Sequence, residues 1–434
     1  MKIQNVKGGY DFLPKEQKIR NYINNTLRKT FEKYGFQPIE TPILCYYDIL
    51  SDKYDEENDI LKEIYKLRDQ GKRKLGLRYD LTVPFAKFIA LNKNQIKLPF
   101  KRYEIAKAFR DGPVRVGRDR EFTQCDADVV GLDGQLIEAE LMSLFVKAFN
   151  ELNIEIIIKY NSRNLMTGLI LESGIDSSLV QNVTTIIDKK DKLTDIEFKE
   201  KLFEIGLSNN QVNNITKYFD LSLDNLIELF HDTSNEKIKL GLQELNNLSK
   251  MLKSINIDSI CIFSSSLARG QNYYTGNVFE VYEKNGKING SIGAGGRYDK
   301  MIGDFINDGN KYPTVGISFG LSSIYELLKD NTEFNERSNT DIYIIPLGTE
   351  IESLKIANML RYLDYNVEIE MKNKKLKKSL DYANKEKIPY VIILGEDEIK
   401  KRVFCIKDMF NNSNLEIEFD NLDNLKNIIN LNRK

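Results

Sequence analysis

The chain of 434 residues has a single histidine, His231. That count excludes a catalytic triad, a histidine dyad and a multi-histidine zinc site. Its four cysteines, Cys45, Cys125, Cys261 and Cys405, lie too far apart for a C-x-x-C metal or redox pair. A chain this long buries large cores without disulfide staples, and the cysteines fit a reducing cytosol. No apolar run approaches the roughly 18 residues of a membrane span, and the opening MKIQNVKGGYDFLP lacks the charged-then-apolar order of a signal peptide. An excess of one charge is missing too. With 63 Lys+Arg against 64 Asp+Glu, nucleic acid is not bound through overall charge, which leaves only a local basic face. These absences point to a cytoplasmic globular protein of two or three domains, whose chemistry rests on arginine, lysine, carboxylates, amides, hydroxyls and at most a bound metal ion.

Apolar residues recur at three- and four-residue steps from Pro14 to Tyr34, which predicts an amphipathic helix ended by Gly35. Phe36 to Leu44 alternates and carries Pro38 and Pro42, the pattern of an edge strand. Such a helix and edge strand suit a dimer interface. Residues 72 to 132 read as strands broken by turns, with two antiparallel strands joined by the basic loop DGPVRVGRD. Helical periodicity returns over 135–152. The polar stretch of about 161–252 reads as an inserted helical subdomain, and its His231 as a surface helix residue. Strand character resumes at Ser259. After a polar linker over 331–340, strands and helices alternate through 341–434, which predicts a small α/β domain with a largely parallel sheet. The fold class is therefore α+β, with an antiparallel-sheet first domain over 1–330.

Four constellations could carry chemistry. Arg110 ends a strand before a loop with Arg115, Arg118 and Arg120, guanidinium groups suited to phosphate oxygens. On the returning strand, Gln124 beside Phe122, Asp126 and Asp128 reads as a small polar pocket, although Phe122, Gln124, Ala127 and Asp128 share one face only through a bulge. A solvated, salt-bridged hairpin is the competing reading. Arg269-Gly270-Gln271-Asn272-Tyr273-Tyr274-Thr275-Gly276 combines donors with close backbone approach, or is an ordinary aromatic strand. Gly293-Ala294-Gly295-Gly296-Arg297-Tyr298-Asp299 offers bare backbone to a nucleotide or amino acid, or is a tight turn; it is neither a P-loop nor a Rossmann fingerprint. Asp80-Leu81-Thr82 could hold an ammonium group or cap the helix that follows.

Taken in order, these segments resemble the class II aminoacyl-tRNA synthetases, and among them the histidyl-tRNA synthetase family. GGYDFLP with FEKYGFQPIETPIL is similar to the family start and first motif at the dimer interface. FKRYEIAKAFRDG through REFTQCDADVVG resembles the second motif, and VGISFGL the third. LARGQNYYTGNVFEVYE and GSIGAGGRYD resemble the two signatures peculiar to histidyl enzymes, and 341–434 the anticodon-binding domain. The resemblance implies a homodimeric histidine–tRNA ligase using L-histidine, ATP with Mg²⁺, and tRNA(His). It implies that Asp80, Thr82 and Gln124, with Leu81 between the first two, hold the α-amino group, and that Asp128, Tyr274 and the adjacent Tyr273 read the imidazole. Arg110 and Arg269 would grip the α-phosphate and Phe122 would stack on adenine, with Arg120, Gly295 and Gly296 also at ATP. No dedicated protein-only metal site is implied.

Three positions depart from the family pattern. Ser322-Ser323 follow Gly320-Leu321 where the third motif usually has Glu-Arg; a lost cation–π contact there would weaken ATP binding by about 0.5–2 kcal/mol. Gly112 stands where the second motif commonly has Glu, and Gln271-Asn272 where the signature usually has Leu-Asp. The alternative is a catalytically inactive synthetase-like regulatory protein of the histidine-biosynthesis type, favoured only by the missing third-motif arginine. A class II enzyme for proline or threonine would leave LARGQNYYTG unexplained. In the last domain, Lys372, Lys374, Lys375, Lys377 and Lys378 either track tRNA phosphates or form a solvated helix face.

Overall fold

The computed structural model describes residues 3–51, 59–190, 193–269, 273–331, 338–372, 374–411 and 413–419. Most of the predicted linker, and Gly270, Gln271 and Asn272, lie outside the described residues. The chain divides into two compact units, Met1–Asp330 and Asn331–Lys434.

The first unit is built on an eight-stranded sheet. In spatial order its strands are Gln37–Pro38, Phe100–Phe109, Glu121–Val130, Thr314–Gly320, Gly293–Arg297, Asn277–Glu283, Ile156–Ser162 and Cys261–Phe263. The six inner strands pair antiparallel, and the two outermost run parallel to their neighbours. Period-two alternation gives the sheet two unlike faces. Cys125, Ala127, Ile317, Phe319, Phe279, Val281 and Ile158 are buried on one, under the helices Pro14–Lys33 and Leu136–Glu151. There the Phe145 and Phe319 rings lie 4.6 Å apart and Phe31 and Phe319 5.8 Å. The other face carries the polar residues.

Pro14 opens its helix at the position where a missing N–H costs nothing, Glu16 accepts from the Leu13 backbone N–H at 2.7 Å, and Gly35 leaves it at φ +79°. The alternating stretch after it does not form one edge strand. Only Gln37–Pro38 joins the large sheet, and Leu44–Tyr46 pairs instead with Lys74–Leu77 in a separate three-stranded sheet. The cause is local: Pro38 and Pro42 have no N–H for a ladder, and Thr41 turns its N–H and hydroxyl onto Glu104 at 2.8 and 2.9 Å.

Helices from Arg163–Glu172 to Glu236–Ser254 lie in sequence between the adjacent parallel strands Ile156–Ser162 and Cys261–Phe263. The first and last of these helices meet closely at Gly241, where a Cβ would stand 2.3 Å from the Leu165 backbone nitrogen. His231 is exposed in a turn after Leu223–Leu229, not within a helix, beside Asp232 at 2.7 Å.

The second unit has a five-stranded sheet in the order Val367–Ile369, Ile342–Leu347, Tyr390–Gly395, Val403–Asp408, Asn414–Glu418. Its first three strands are parallel, but the last two are antiparallel. The expected largely parallel sheet is thus a mixed one. The step from Asp408 to Asn414 is too short for a parallel crossover and closes a hairpin. Among the described residues, no helix of either unit is long and apolar enough to cross a membrane.

Candidate functional site

On the polar face of the large sheet, register lines up two rows across the strands. One runs Glu104, Asp126, Ser318, Ala294, Glu280; the other runs Arg102, Asp128, Gly316, Gly296, Val278. Strands stand about 4.8 Å apart, so Asp126 and Glu280 are roughly 14 Å from each other with only Ser318 and Ala294 between. Those two small residues, with Gly320, remain half-buried while their strand neighbours are buried. The sheet is therefore lowest there, a floor with carboxylates at both ends.

The second row is closed by an ion network. Arg102 Nη2 lies 2.6 Å from Asp128 Oδ2, and Arg102 Nη1 3.6 Å from Glu104 Oε2. Arg78 Nη1 meets Glu104 Oε1 at 3.0 Å, and the Tyr298 hydroxyl donates to Asp128 Oδ1. Arg78, Arg102, Glu104 and Asp128 are all buried. Charges buried this deeply persist only when paired, and removing one partner costs about 3–5 kcal/mol. The strand register is continuous over ten pairs and contains no bulge: Phe122, Gln124, Asp126 and Asp128 share the polar face, and Ala127 faces the core.

Three acceptors are left over. Asp80 Oδ1 accepts from the Val83 N–H at 3.1 Å, as a helix cap does, but its Oδ2 is buried without a partner. Asp80 thus caps the helix through one oxygen and leaves the other open. Leu81 is buried with its carbonyl 3.3 Å from Arg102 Nη2, and Thr82 begins the helix Thr82–Asn92. Gln124 Nε2 donates to Ser318 Oγ at 3.2 Å, which leaves its carbonyl Oε1 without a partner, and Asp126 Oδ1 is likewise unpaired. Burial pushes the Asp80 carboxyl up to about 6, against the pull of Arg110. Burial, then the neighbouring Asp128 and Asp80, push Asp126 up to about 8 against Arg102. The open acceptors suit an incoming cation, while Arg102 Nε and Nη1 are buried without partners in the same network.

The cations flank this floor. Arg110 donates through Nε to the Tyr79 carbonyl at 3.0 Å, and its guanidinium lies 5.0 Å from the Phe122 ring centroid. Arg269 pairs with Glu280 at 2.8 Å, lies 5.5 Å from the Tyr274 ring and sits at φ +60° with its N–H on Asp188 at 3.0 Å. A left-handed arginine is uncommon and stores a small strain. Tyr273 touches Tyr274 and Tyr298, with ring centroids 4.7 and 5.7 Å apart. Arg120 folds back into its own loop, donating to Gly112 O at 3.2 Å with Asp111 also 3.2 Å away.

One expectation changes: Gly293–Arg297 is a central strand, neither a turn nor a connection between strands. Its glycines lie close against other parts of the protein. A Cβ at Gly295 would stand 2.3 Å from Gly316 O on the core side, and one at Gly296 would stand 2.8 Å from the Tyr274 ring, so both serve packing. The loop after Arg110 lies on the third motif: Ser322 Oγ donates to Asp119 Oδ2 at 2.9 Å, and a Cβ on Gly117 would stand 2.9 Å from Ser323 Oγ.

Arg78, Arg102, Glu104, Ser318 and Tyr298 were not singled out by sequence reasoning. The usable signal was the charged pair Arg102 and Glu104, two apart in a strand otherwise rich in apolar and aromatic residues, where charges require partners.

In the second unit Lys374 pairs with Glu370 at 3.0 Å, whereas Lys372, Lys375, Lys377 and Lys378 are exposed.

Residues 8–324 match the family model described as histidyl-tRNA synthetase, and 341–425 that of an anticodon binding domain. The chain is 45% identical over 429 residues to "Histidine--tRNA ligase 1" of Bacillus thuringiensis subsp. konkukian, covering 98% of this chain and 100% of that one. The crystal structure of histidyl-tRNA synthetase from Nostoc sp. PCC 7120 superposes with a TM-score of 0.86 at 28% identity, covering 99% of this chain and 100% of that one. An ATP phosphoribosyltransferase regulatory subunit/histidyl-tRNA synthetase from Bacillus halodurans gives 0.75 at 19% identity over 91% of this chain and 99% of that one, a likeness of fold alone.

Proposed function

Because the chain belongs to the histidyl-tRNA synthetase family, we propose that the polar face of its large sheet is where histidine and ATP meet. The activity is that of an aminoacyl-tRNA ligase: histidine is activated with ATP and joined to tRNA. The observation that supports the placement is the set of buried, unpartnered acceptors at Asp80 and Gln124, beside a floor flanked by Arg110 and Arg269.

In this reading Asp80, Thr82 and Gln124 receive the α-ammonium, and Leu81 lends its buried side chain as the wall between the first two. Asp128, with each oxygen already oriented by Tyr298 or Arg102 and lone pairs to spare, reads the imidazole together with Tyr274 and Tyr273. An amino acid that leaves such polar groups unpaired is rejected by about 10⁴ or more.

Arg110 and Arg269 hold the α-phosphate from two sides, Phe122 stacks on adenine once Arg110 turns to the phosphate, and Arg120 stands at the triphosphate side of the loop. The histidine carboxylate is ionised at neutral pH, so its attack on phosphorus needs positioning and charge neutralisation but no protein base. This explains how the chain works with one exposed histidine. In the second step the terminal ribose hydroxyl of tRNA attacks the adenylate, and its proton passes to a phosphate oxygen. Mg²⁺ supplies charge neutralisation at the β- and γ-phosphates when bound. Among the described residues no three His, Cys, Asp or Glu side chains are grouped to hold a metal ion.

We further propose that the chain acts as a homodimer in the cytoplasm, with 341–434 reading the anticodon of tRNA(His) and the helices of about 161–252 forming an insertion. The deciding experiment is ATP–pyrophosphate exchange with Mg²⁺, each standard amino acid tested separately. Exchange with histidine alone is expected; exchange with none would bring the regulatory reading forward.

A further inference from the structure

Among the polar groups on the sheet face, Asp126 has the least structural employment. Arg102, Glu104, Arg78, Asp128 and Tyr298 are linked to one another, with Arg102 Nε and Nη1 keeping no hydrogen-bond partner. Asp126 lies between Gln124 and Asp128 on the same strand, opposite Glu104 on one side and Ser318 on the other, and is only 3% exposed. The Ser318 hydroxyl serves one of its oxygens, while Oδ1 has no donor at all. A buried acceptor without a donor carries a desolvation penalty, which persists in the empty protein and disappears if a ligand supplies the missing N–H.

The neighbourhood specifies that ligand. Gln124 gives its amide N–H to Ser318, which fixes its carbonyl as the free end. Asp80 is near enough to raise the proton affinity of Asp126, and its own Oδ2 is free. Three buried acceptors, Asp80 Oδ2, Gln124 Oε1 and Asp126 Oδ1, thus stand on one face without a hydrogen-bond partner, beside an Arg102 that keeps two donors unused. A primary ammonium carries three N–H donors and a positive charge suited to this acid-rich face.

We propose that Asp126 is a further histidine-binding residue, whose carboxylate takes one N–H of the substrate α-ammonium and completes an acceptor cradle with Asp80 and Gln124. The assignment rests on the reading of this face as the histidine site. A consequence is coupled proton release. Arg102 and Glu104 face Asp126 from one neighbouring strand and Ser318 from the other, with Asp128 on its own strand and Asp80 ahead of the helix. In that company Asp126 holds its proton up to about pH 8 in the empty site, and an ammonium beside it drives the proton off. Histidine affinity then rises with pH up to about 8.

The test compares the full-length protein with Asp126→Asn, which keeps shape and removes the charge. Binding is measured by calorimetry at pH 7.5 in buffers of different ionisation enthalpy. Three ligands are used: L-histidine, histidinol, which keeps the ammonium, and imidazolepropionate, which lacks it. The expected result is a loss of about tenfold to a hundredfold for histidine and histidinol, less than twofold for imidazolepropionate, and disappearance of the proton released on histidine binding. The KM for ATP in pyrophosphate exchange stays within twofold. Equal losses for all three ligands, or no loss for any, overturns the assignment. Failure of the unmutated protein to bind histidine overturns the amino-acid reading beneath it and is seen before any variant is made. Retained binding of imidazolepropionate by the variant shows that its site is folded.

Discussion

Ser322 donates a 2.9 Å hydrogen bond to Asp119, and this bond ties the loop between the two long strands to the helix that follows Thr314–Gly320. Next to it, Gly117 at φ +72° sits against Ser323, the position at which the third-motif resemblance leads one to expect an arginine. The loop bearing Arg115, Arg118 and Arg120 is therefore held down where a long side chain would otherwise project. Ser322→Ala is expected to raise the KM for ATP severalfold while costing about 1 kcal/mol or less in stability, because one neutral donor to a half-buried carboxylate is lost. Ser323→Arg should weaken ATP binding too, since it must displace Gly117. Improved ATP binding by the arginine variant in exchange kinetics would show that the loop does not fill that space.

Arg269 is set by Glu280, by Asp188 and by a backbone conformation that few arginines adopt. Arg269→Ala should lower the rate of adenylate formation by about 10²–10³ or more, with the thermal midpoint shifted only slightly. Glu280→Gln should produce a smaller loss in kcat by releasing the guanidinium. Near-normal exchange in Arg269→Ala would remove it from the reaction.

The raised carboxyls make stability depend on pH in a defined direction. Asp80 is pushed up to about 6 and Asp126 to about 8, both above the ordinary aspartate value near 3.8. The folded protein holds these protons more tightly than the unfolded chain, so their contribution falls as pH rises from about 4 to about 6 for Asp80 and from about 4 to about 8 for Asp126. Denaturant midpoints of the wild type, Asp80→Asn and Asp126→Asn across pH 5 to 8.5 should converge at low pH and diverge at high pH, with the asparagine variants the more stable. Parallel curves would show that neither acid is perturbed.

Lys377 and Lys378 are exposed on the helix Leu376–Lys385. If they track phosphates, changing both to Gln reduces the slope of log affinity for tRNA against log salt by about 1 to 2, and leaves histidine-dependent pyrophosphate exchange unchanged. An unaltered salt slope would make this a solvated helix face.

Much of the first unit was readable because its signals are local. Pro14 and Gly35 punctuate one helix, and the alternation in 100–109 and 121–130 survives in the register. Of the edge strand expected over Phe36–Leu44 only Gln37–Pro38 joins the large sheet, because Pro38 and Pro42 cannot donate to a ladder and Thr41 gives its N–H to Glu104. Asp80, Gln124, Arg110 and Arg269 were identifiable as polar residues in motifs. The network of Arg78, Arg102 and Glu104 was not, since a charged residue in a strand looks solvated until its pairing partner, up to 63 residues away for Thr41 and Glu104, is placed beside it. Gly295 and Gly296 carry the same ambiguity: a glycine vacated for Tyr274 or for a neighbouring backbone is indistinguishable in sequence from one vacated for a ligand.

The sheet order also sets a timetable for synthesis. Glu121–Val130 pairs on one side with the strand just before it, but on the other with Thr314–Gly320, more than 180 residues later. At 5–20 residues per second, a ribosome leaves that edge unpaired for about 10 to 40 s, the kind of exposed strand that other nascent chains can join. Asp126 and Asp128 lie on that waiting strand, and charged side chains are among the devices by which an open edge resists pairing with a stranger.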